Sequence, residues 1–387
     1  MEQNGLENIR NLALLSHAGA GKTSLTEAIL FASKAINRLG KVDEGTTTSD
    51  YDPIEVKRRM SINLSVLPCH WQGNKINLLD TPGYSDFVAD VNAAIRVSEG
   101  AIIVICGASG VEVGSEQSWG YCEKANLPRM IFVNKMDREN ADFERTVESI
   151  QAKFGARCLP IQMSIGAHTT FEGIIDLLTM TSYRGSSTDK GDVPPALQAQ
   201  AGSFRDKLVE AVAEVDDALL EKYLGGEKLS PEEINEGLRK AVREGKIIPI
   251  LGGSALQNIG TSQLMDAICH YLPTPKERGV AVIGESGEIE TVEPAVDAPL
   301  ASLVFKTTAD PYVGKLTYFR VFQGVMDSNS QVWNSTRSEA ERIGQLFLIR
   351  GKTQEPVARV AAGDIGAVAK LNVTSTGDTL CSRDKQV

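Results

Sequence analysis

The sequence predicts an α/β domain, with a mostly parallel sheet and helices on both faces, that carries an α+β insertion and precedes a small all-β barrel. Strand-sized apolar runs alternate with helical runs as far as about residue 157, which is typical of a parallel sheet. The alternation then stops and resumes near residue 246. Beyond residue 298, short strands separated by Gly, Asp and Asn favour a barrel. The predicted boundaries are 1–157 with 246–285 for the first domain, 158–245 for the insertion, 286–297 for a linker and 298–387 for the barrel.

Composition limits the possible environments of the chain. It has 387 residues, enough for two or three domains, and a net charge of −10 at pH 7. This charge argues against DNA or non-specific nucleic-acid binding but allows docking on a ribonucleoprotein through a local basic face. No apolar run is long enough to span a membrane. The six cysteines lack metal-ligand spacing, so we expect buried thiols in a cytoplasmic protein, and we expect a monomer.

A loop of small residues separates the apolar run at residues 12–15 from the helical run at residues 25–31. It consists of Ser16, His17, Ala18, Gly19, Ala20, Gly21, Lys22, Thr23 and Ser24. Backbone N–H groups of such a loop, at the N-terminus of a helix, bind phosphate. Lys22 would contact the β- and γ-phosphates, and the Thr23 hydroxyl would bind Mg²⁺. The usual first Gly of the pattern is Ser16, and a loop that merely connects strand to helix is the alternative.

The next segment, residues 39–60, shows no periodicity and is predicted to be a long surface loop, mostly a solvated linker. Strands at residues 61–67 and 75–79 are expected to form a hairpin that leads into Asp80-Thr81-Pro82-Gly83. A carboxylate at the end of a buried strand beside a phosphate loop would hold a Mg²⁺-bound water. Gly83 would let its N–H approach a terminal phosphate. Taken alone, the tetrapeptide is also ordinary turn chemistry.

A second tetrapeptide, Asn134-Lys135-Met136-Asp137, follows a predicted strand at residues 130–133. Before it we predict a helix over 86–97, a strand over 101–106 and a helix over 115–125. The Asp137 carboxylate would accept hydrogen bonds from the N1–H and N2–H groups of guanine, which adenine does not offer. Asn134 would fix the loop and Lys135 would cover the base. A chance match is the alternative, although the end of a parallel strand is where ligands bind.

The insertion shows no chemistry of its own. A helix is predicted at 142–154, before the insertion, and two more are predicted within it at 196–223 and 230–244, with Ser230 as an N-cap; His168 is expected at the surface. The sheet resumes at 247–251 and leads to Ser254, Ala255 and Leu256, whose N–H groups could reach a purine O6. A helix over 261–271 closes the domain. After a polar linker at 283–296, strands are predicted at 300–307, 314–322, 331–333, 342–349, 356–360 and 366–371. The core aromatics of this part are expected to be Phe305, Phe319, Phe322, Trp333 and Phe347.

Five motifs, in this order, resemble the guanine-nucleotide motifs of the translational GTPase family. They are Gly19-Ala20-Gly21-Lys22-Thr23, Arg59-Met60-Ser61-Ile62, Asp80-Thr81-Pro82-Gly83, Asn134-Lys135-Met136-Asp137 and Ser254-Ala255-Leu256. Within that family the chain is most similar to elongation factor G. Residues 171–177 look like the start of its inserted subdomain, and residues 310–316, 320–324 and 362–368 look like its second domain. The resemblance implies an α/β P-loop GTPase domain, GTP or GDP with Mg²⁺ as cofactors, and the ribosome, through its RNA and proteins, as partner.

The departures from the family pattern concern hydrolysis. The family usually has an Asp where this chain has Gly19, and the threonine that binds Mg²⁺ corresponds to Ser61. Its catalytic His corresponds to Tyr84, a longer side chain that is neutral at pH 7. The resemblance therefore implies Lys22, Gly83 and Tyr84 at the reaction centre and Thr23, Ser61 and Asp80 at the metal. We expect slow intrinsic hydrolysis.

Two other functions fit these residues. One is a GTP-binding module that docks on the ribosome and barely hydrolyses GTP. The other is a ribosomal-protection or rescue GTPase, which shares these two domains. Elongation factor G continues through three further domains, so we expect either a piece of a longer factor or a shortened paralogue.

Overall fold

The computed structural model describes residues 5–284, 287–310 and 314–387. The helices in these ranges are α1 Lys22–Ala32, α2 Pro53–Arg58, α3 Val88–Arg96, α4 Val113–Lys124, α5 Phe143–Phe154, α6 Gln198–Ala213, α7 Asp217–Leu224, α8 Pro231–Arg243 and α9 Thr261–Tyr271. The strands are β1 Ile9–Ser16, β2 Ser65–Trp71, β3 Asn74–Asp80, β4 Gly100–Cys106, β5 Arg129–Asn134, β6 Cys158–Pro160, β7 Gln162–Ile165, β8 Gly173–Asp176, β9 Thr181–Arg184, β10 Gly191–Asp192, β11 Ile248–Gly252, β12 Val280–Ile283, β13 Ile289–Val292, β14 Ala301–Asp310, β15 Gly314–Gln323, β16 Val325–Asp327, β17 Gln331–Asn334, β18 Glu339–Arg342, β19 Leu346–Arg350, β20 Thr353–Val357, β21 Arg359–Ala361, β22 Ile365–Ala369 and β23 Thr379–Cys381.

The first domain is built on a seven-stranded sheet with the order β2-β3-β1-β4-β5-β11-β6. All neighbours in it are parallel except β2 and β3, which form the predicted hairpin. Every residue of β1 and of β4 is buried, as expected of strands covered on both faces. One face packs on α1 and α9, and the other on α3, α4 and α5. The predicted fold class is confirmed.

The segment between α1 and β2 differs from the prediction of a solvated loop. It contains the short helix α2. Three polar residues of the segment are buried: Ser49 and Asp50, which precede the helix, and Glu55, which lies in it. The helix begins at a capping box. The Asp52 carboxylate accepts from the Ile54 N–H, and the Glu55 carboxylate accepts from the Asp52 N–H. Because a six-residue helix shows no apolar periodicity, only this capping signal marks it. The strand predicted from residue 61 begins at Ser65.

The insertion has a four-stranded antiparallel sheet, β10-β9-β8-β7, packed with α6, α7 and α8. Its first strand, β6, extends the main sheet instead. The helix predicted over 196–223 is two helices, since Asp216 caps a new N-terminus at α7. Ser230 forms the expected capping box at α8, and His168 is exposed.

The segment around the predicted linker contains regular structure that was not predicted. Strands β12 and β13 pair antiparallel across residues 280–292, so this segment forms a β-ribbon; residues 285–286 lie outside the described ranges. Its side chains are mostly exposed, and the sequence therefore lacks the apolar alternation that predicts a strand.

The C-terminal domain is all-β, as predicted. Eight antiparallel strands, in the order β18-β17-β23-β14-β15-β22-β19-β20, and the ribbon β16-β21 surround one core that includes Phe319, Met326 and Val360. The strand predicted over 342–349 combines the end of β18 with β19, and that over 356–360 combines the end of β20 with the start of β21. Strands β16 and β23 were not predicted, because three residues are too few for a pattern. Residues 311–313 of the proposed family motif lie outside the described ranges.

The expected core aromatics divide into two groups. Phe305 and Phe319 are buried, whereas Phe322, Trp333 and Phe347 are half-buried.

A buried polar cluster joins the two domains. Arg320 of β15 forms an ion pair with Glu99, which precedes β4, and donates to the Val97 carbonyl at 2.7 Å. The second carboxylate oxygen of Glu99 accepts from Asn11 of β1 at 2.8 Å. Both ionised side chains are at most 3% exposed. Burial makes each charge depend on the other, because an unpaired charge in this environment is strongly disfavoured.

A second buried contact lies beside it, on β3. Lys75 donates to Asp364 at 2.6 Å, and Asn77 donates to both Asp364 and Asn11. Two neighbouring strands of the sheet, β1 and β3, are therefore both attached to the β domain.

We predict that Arg320→Met lowers the free energy of unfolding by about 3–5 kcal/mol, because it leaves the Glu99 carboxylate buried without its cation. Urea titration followed by circular dichroism measures the change. Arg359→Ala is the matched control, since its partner Asp327 is 48% exposed and Arg359 itself 54%. An Arg320→Met protein that unfolds at the wild-type urea midpoint contradicts the role given to this pair.

Candidate nucleotide-binding site

A cleft of about 340 Å³ opens at the carboxyl edge of the parallel sheet. Loops after β1, β3, β5 and β11 meet there, together with the segment around α2. The predicted site residues that line it are Ala18, Gly19, Gly21, Lys22, Thr23, Ser24, Ser61, Gly83, Tyr84, Asn134, Lys135, Asp137, Ala255 and Leu256. The remaining predicted residues, Ser16, His17, Ala20, Asp80 and Ser254, lie outside this lining. The structure thus brings all five motifs to one place.

The loop after β1 has the backbone that phosphate binding requires. Gly19 and Gly21 have φ values of +81° and +96°, which side chains rarely tolerate. A Cβ on Gly21 would lie 2.5 Å from the Asn134 Nδ2 atom, so this position has room only for glycine. Apart from its two chain neighbours, no described residue has an atom within 4 Å of a Cβ placed on Gly19.

Lys22 is buried at the first turn of α1 and donates to the Ser16 hydroxyl at 2.7 Å. Burial lowers its pKa to about 8, although the carboxylates of Asp80 and Asp50 oppose the shift. An anion bound beside the ammonium would favour its charged form, so Lys22 is suited to bind an anion.

The other side of the cleft carries two hydroxyls and a carboxylate. The Thr23 and Ser61 hydroxyl oxygens lie 3.0 Å apart. Asp80 is 1% exposed, and neither carboxylate oxygen has a hydrogen bond of good geometry within the described residues. Burial raises its pKa to about 6, with Lys22 and the nearby Ser49 and Thr23 hydroxyls favouring the charged form.

These oxygens fit Mg²⁺, which prefers hard oxygen ligands and keeps several waters. Across the described parts of the chain no three His, Cys, Asp or Glu side chains form a metal cluster. The metal would therefore depend on phosphate oxygens and water as well as on Thr23, Ser61 and Asp80.

Asp50 is a site residue that the sequence analysis missed. It lines the cleft, is 6% exposed and interacts with Ser61. Burial and the neighbouring Asp80 raise its pKa to about 7. No sequence signal distinguishes it, because it lies in a polar segment without periodicity.

Two buried glutamates hold the segment that carries Asp50 and Ser61. Glu27 of α1 accepts from the Gly40 and Thr48 backbone N–H groups. Glu55 of α2 accepts from the Ile62 and Asn63 N–H groups, both at 2.9 Å. The segment is thus fixed at both ends.

Gly83 and Tyr84 follow β3 and line the cleft on the same side as Lys22. A Cβ on Gly83 would lie 2.8 Å from both the Ala18 Cα and the Lys22 Nζ, so only glycine fits this close approach. The Tyr84 side chain is 48% exposed and makes no hydrogen bond to any described residue. It is free to meet a ligand or a water.

The opposite end of the cleft is organised by Asn134. Its amide donates to the Ala20 carbonyl at 3.1 Å and accepts from the Ala255 N–H at 3.0 Å. Lys135 reaches over the loop and donates to the Gly19 carbonyl. An Asp137 carboxylate oxygen is buried and has no donor in the described part of the chain. An unpaired acceptor facing a cleft is the feature that a guanine edge would satisfy.

Comparison with known proteins agrees with this geometry. The "Elongation factor Tu GTP binding domain" family matches residues 7–274, and "Elongation factor G domain 2" matches residues 299–383. The chain belongs to the family of the elongation factor Tu GTP-binding domain. Its second domain is similar to elongation factor G domain 2.

Curated relatives and a solved structure extend the family match. The chain is 42% identical over 391 residues to elongation factor G of Thermotoga sp. (strain RQ2) and of Thermotoga maritima, which covers 99% of this chain and 56% of each relative. A crystal structure of a protein from Thermus thermophilus superimposes with a TM-score of 0.87 at 32% identity, covering 98% of this chain and 55% of that one. The chain thus spans about half the length of the relatives it matches.

None of the helices in the described ranges is both long and apolar enough to span a membrane.

The buried Asp50 carboxyl predicts a pH dependence for the nucleotide-free and metal-free protein. Its folded pKa of about 7 lies above the ordinary 3.8, so the folded state keeps a proton that the unfolded state has released. The contribution of the protonated Asp50 carboxyl to the free energy of unfolding is fully present below pH 4 and is lost as the pH rises toward 7. Asp50→Asn should therefore raise the free energy of unfolding at pH 8 by about 2 kcal/mol, with the gain shrinking toward pH 4.

Thermal melts of both proteins between pH 4 and pH 8 test this expectation. Asp86→Asn, at an exposed position after β3, is the control and should follow the wild type throughout. A constant difference between Asp50→Asn and wild type across this pH range would contradict a titrating carboxyl.

Proposed function

We propose that this chain is a Mg²⁺-dependent GTPase switch that acts with the ribosome. The observation that carries the proposal is the unpaired, buried Asp137 acceptor at one end of the cleft, with the buried Lys22 ammonium at the other. A guanine nucleotide has complementary groups at both of its ends. The family match and the similarity to elongation factor G support the same assignment.

The proposed roles follow from the positions of the side chains. Lys22 neutralises charge on the β- and γ-phosphates, and the N–H groups of residues 18–23 bind their oxygens. Thr23 and Ser61 would hold Mg²⁺, and Asp80 would hold it through water. The metal supplies charge stabilisation at the transferring phosphoryl group. Asp137 selects guanine, Asn134 fixes the loops, and Lys135 and Leu256 cover the base.

The switch itself lies in residues 40–61. Gly83 approaches Lys22 so closely that a γ-phosphate there would contact its N–H. Ser61 reaches Thr23 only while its segment is ordered, so loss of the γ-phosphate would release that segment, as in other GTPase switches. The order of residues 40–61 would thus depend on whether GTP or GDP is bound, and these residues form a surface that a ribosome could contact.

A module that binds GTP, docks on the ribosome and hardly hydrolyses is the second candidate. Tyr84 and Gly19 favour it, since a half-exposed neutral phenol stands where the family has its catalytic His and a glycine stands where it has an Asp. The complete set of phosphate and metal ligands favours the hydrolase. We therefore propose slow hydrolysis that the ribosome accelerates, in a cytoplasmic monomer.

Single-turnover GTP hydrolysis, with and without ribosomes, tests the proposal. We expect the wild type to be slow alone, and Tyr84→His to hydrolyse at least about tenfold faster on the ribosome, because an imidazole can also take up a proton. Tyr84→Phe is the matched control, which keeps the ring and removes the hydroxyl.

Rapid hydrolysis by the wild type without ribosomes would contradict the role given to Tyr84. GTP binding with no ribosome-stimulated turnover in any of the three proteins would favour the docking module instead.

A further inference from the structure

Arg59 has an unusual backbone conformation at the phosphate side of the cleft. It follows α2 with φ 54° and ψ 42°, in the left-handed region that favours glycine. Arg59 is exposed and lines the cleft together with Ser61, and it forms no ion pair with a carboxylate of the described residues. A strained arginine without a partner on the cleft wall has no evident structural task.

The surroundings of Arg59 impose this conformation. Its N–H donates to the Glu55 carbonyl, and the Met60 N–H donates to the same carbonyl at 3.3 Å. The buried Glu55 carboxylate holds the Ile62 and Asn63 N–H groups on the other side. The chain is thus fixed on both sides of Arg59, and strained residues held in this manner cluster at functional sites.

The charge balance of the cleft favours an additional cation when a nucleoside triphosphate binds. Asp50 and Asp80 are both buried near Lys22, so the Lys22 ammonium is already shared between two carboxylates. A nucleoside triphosphate would add several further negative charges. Tyr84, the residue beside the close-packed Gly83, contributes no positive charge.

Arg59 and Ser61 belong to the same fixed segment. Because the Ser61 hydroxyl lies 3.0 Å from that of Thr23, this segment crosses the cleft at its phosphate end and not at the Asp137 end. Arg59, two residues before Ser61, therefore lines the cleft at the end proposed for the terminal phosphate, where a planar fork of donors would suit phosphate oxygens.

We propose that Arg59 is a catalytic residue that binds the terminal phosphate of GTP and stabilises the charge that develops during hydrolysis. This proposal rests on the proposed function. In the reaction, a water oxygen bonds to the γ-phosphorus while the bond to the β–γ bridging oxygen breaks. The electron pair stays on GDP, and the proton of the water passes to the released phosphate. Arg59 exchanges no atoms and only offsets negative charge.

Arg59→Gly is a sharp test, because glycine adopts φ 54° more readily than arginine and the segment should keep its shape. Binding of GDP and of a non-hydrolysable GTP analogue is measured by calorimetry, and hydrolysis by single turnover on ribosomes. We expect GDP affinity within about twofold of wild type, analogue affinity at least about tenfold weaker and hydrolysis at least about tenfold slower. Arg59→Lys should recover part of both losses, since it keeps the charge without the fork.

Lys57→Ala is the matched control, since Lys57 is exposed on the same short helix and does not line the cleft. It should behave as wild type with both nucleotides. If Arg59→Gly retains wild-type analogue affinity and rate, or weakens GDP and analogue equally, the role of Arg59 is overturned while the GTPase assignment stands. A wild-type protein that binds no guanine nucleotide overturns both.

Discussion

The Asn134 side chain holds together the three loops on which the cleft depends. Its amide nitrogen bonds to the phosphate loop at Ala20, and its oxygen bonds to the loop after β11 at Ala255. Asn134 itself ends β5 and begins the segment that carries Asp137. One side chain therefore fixes the distance between the groups proposed to bind phosphate and base. Since the bonds use fixed backbone atoms, the cleft is preorganised before any ligand arrives.

The β domain supports the same cleft from the opposite end of the strands. The Arg320–Glu99 pair connects β15 to β1 through Asn11, which donates to Glu99, and the Lys75–Asp364 contact connects the residues before β22 to β3. Those strands lead into the phosphate loop and into Asp80 at their other ends. Lys306 of β14 also bonds to the Leu64 carbonyl, just beyond the fixed segment that carries Ser61. The segment that carries Ser61 therefore lies next to the β domain. A change in its conformation would affect the contact between the two domains.

The part of the site at strand ends could be predicted, because the carboxyl ends of parallel strands share one edge and each motif there has its own residue pattern. Asp80, Asn134 and Asp137 are examples. Asp50 and Glu55 could not be predicted, since their burial depends on how a non-periodic segment folds over the sheet. The ion pair of Arg320 with Glu99 was also beyond sequence reasoning, because its partners are more than two hundred residues apart and neither has a local signature. The ribbon β12–β13 was missed because its side chains are mostly exposed.

The central claim is that Asp137 makes the cleft specific for guanine. Displacement of fluorescent GDP by unlabelled GTP or ATP, with Mg²⁺ present, measures that specificity directly. The account predicts that GTP displaces the probe while ATP fails even at about a hundredfold higher concentration, since loss of a paired, charge-assisted contact costs several kcal/mol. Asp137→Asn should abolish the preference while the domain remains folded. Equal displacement by ATP and GTP from the wild-type protein would contradict the account.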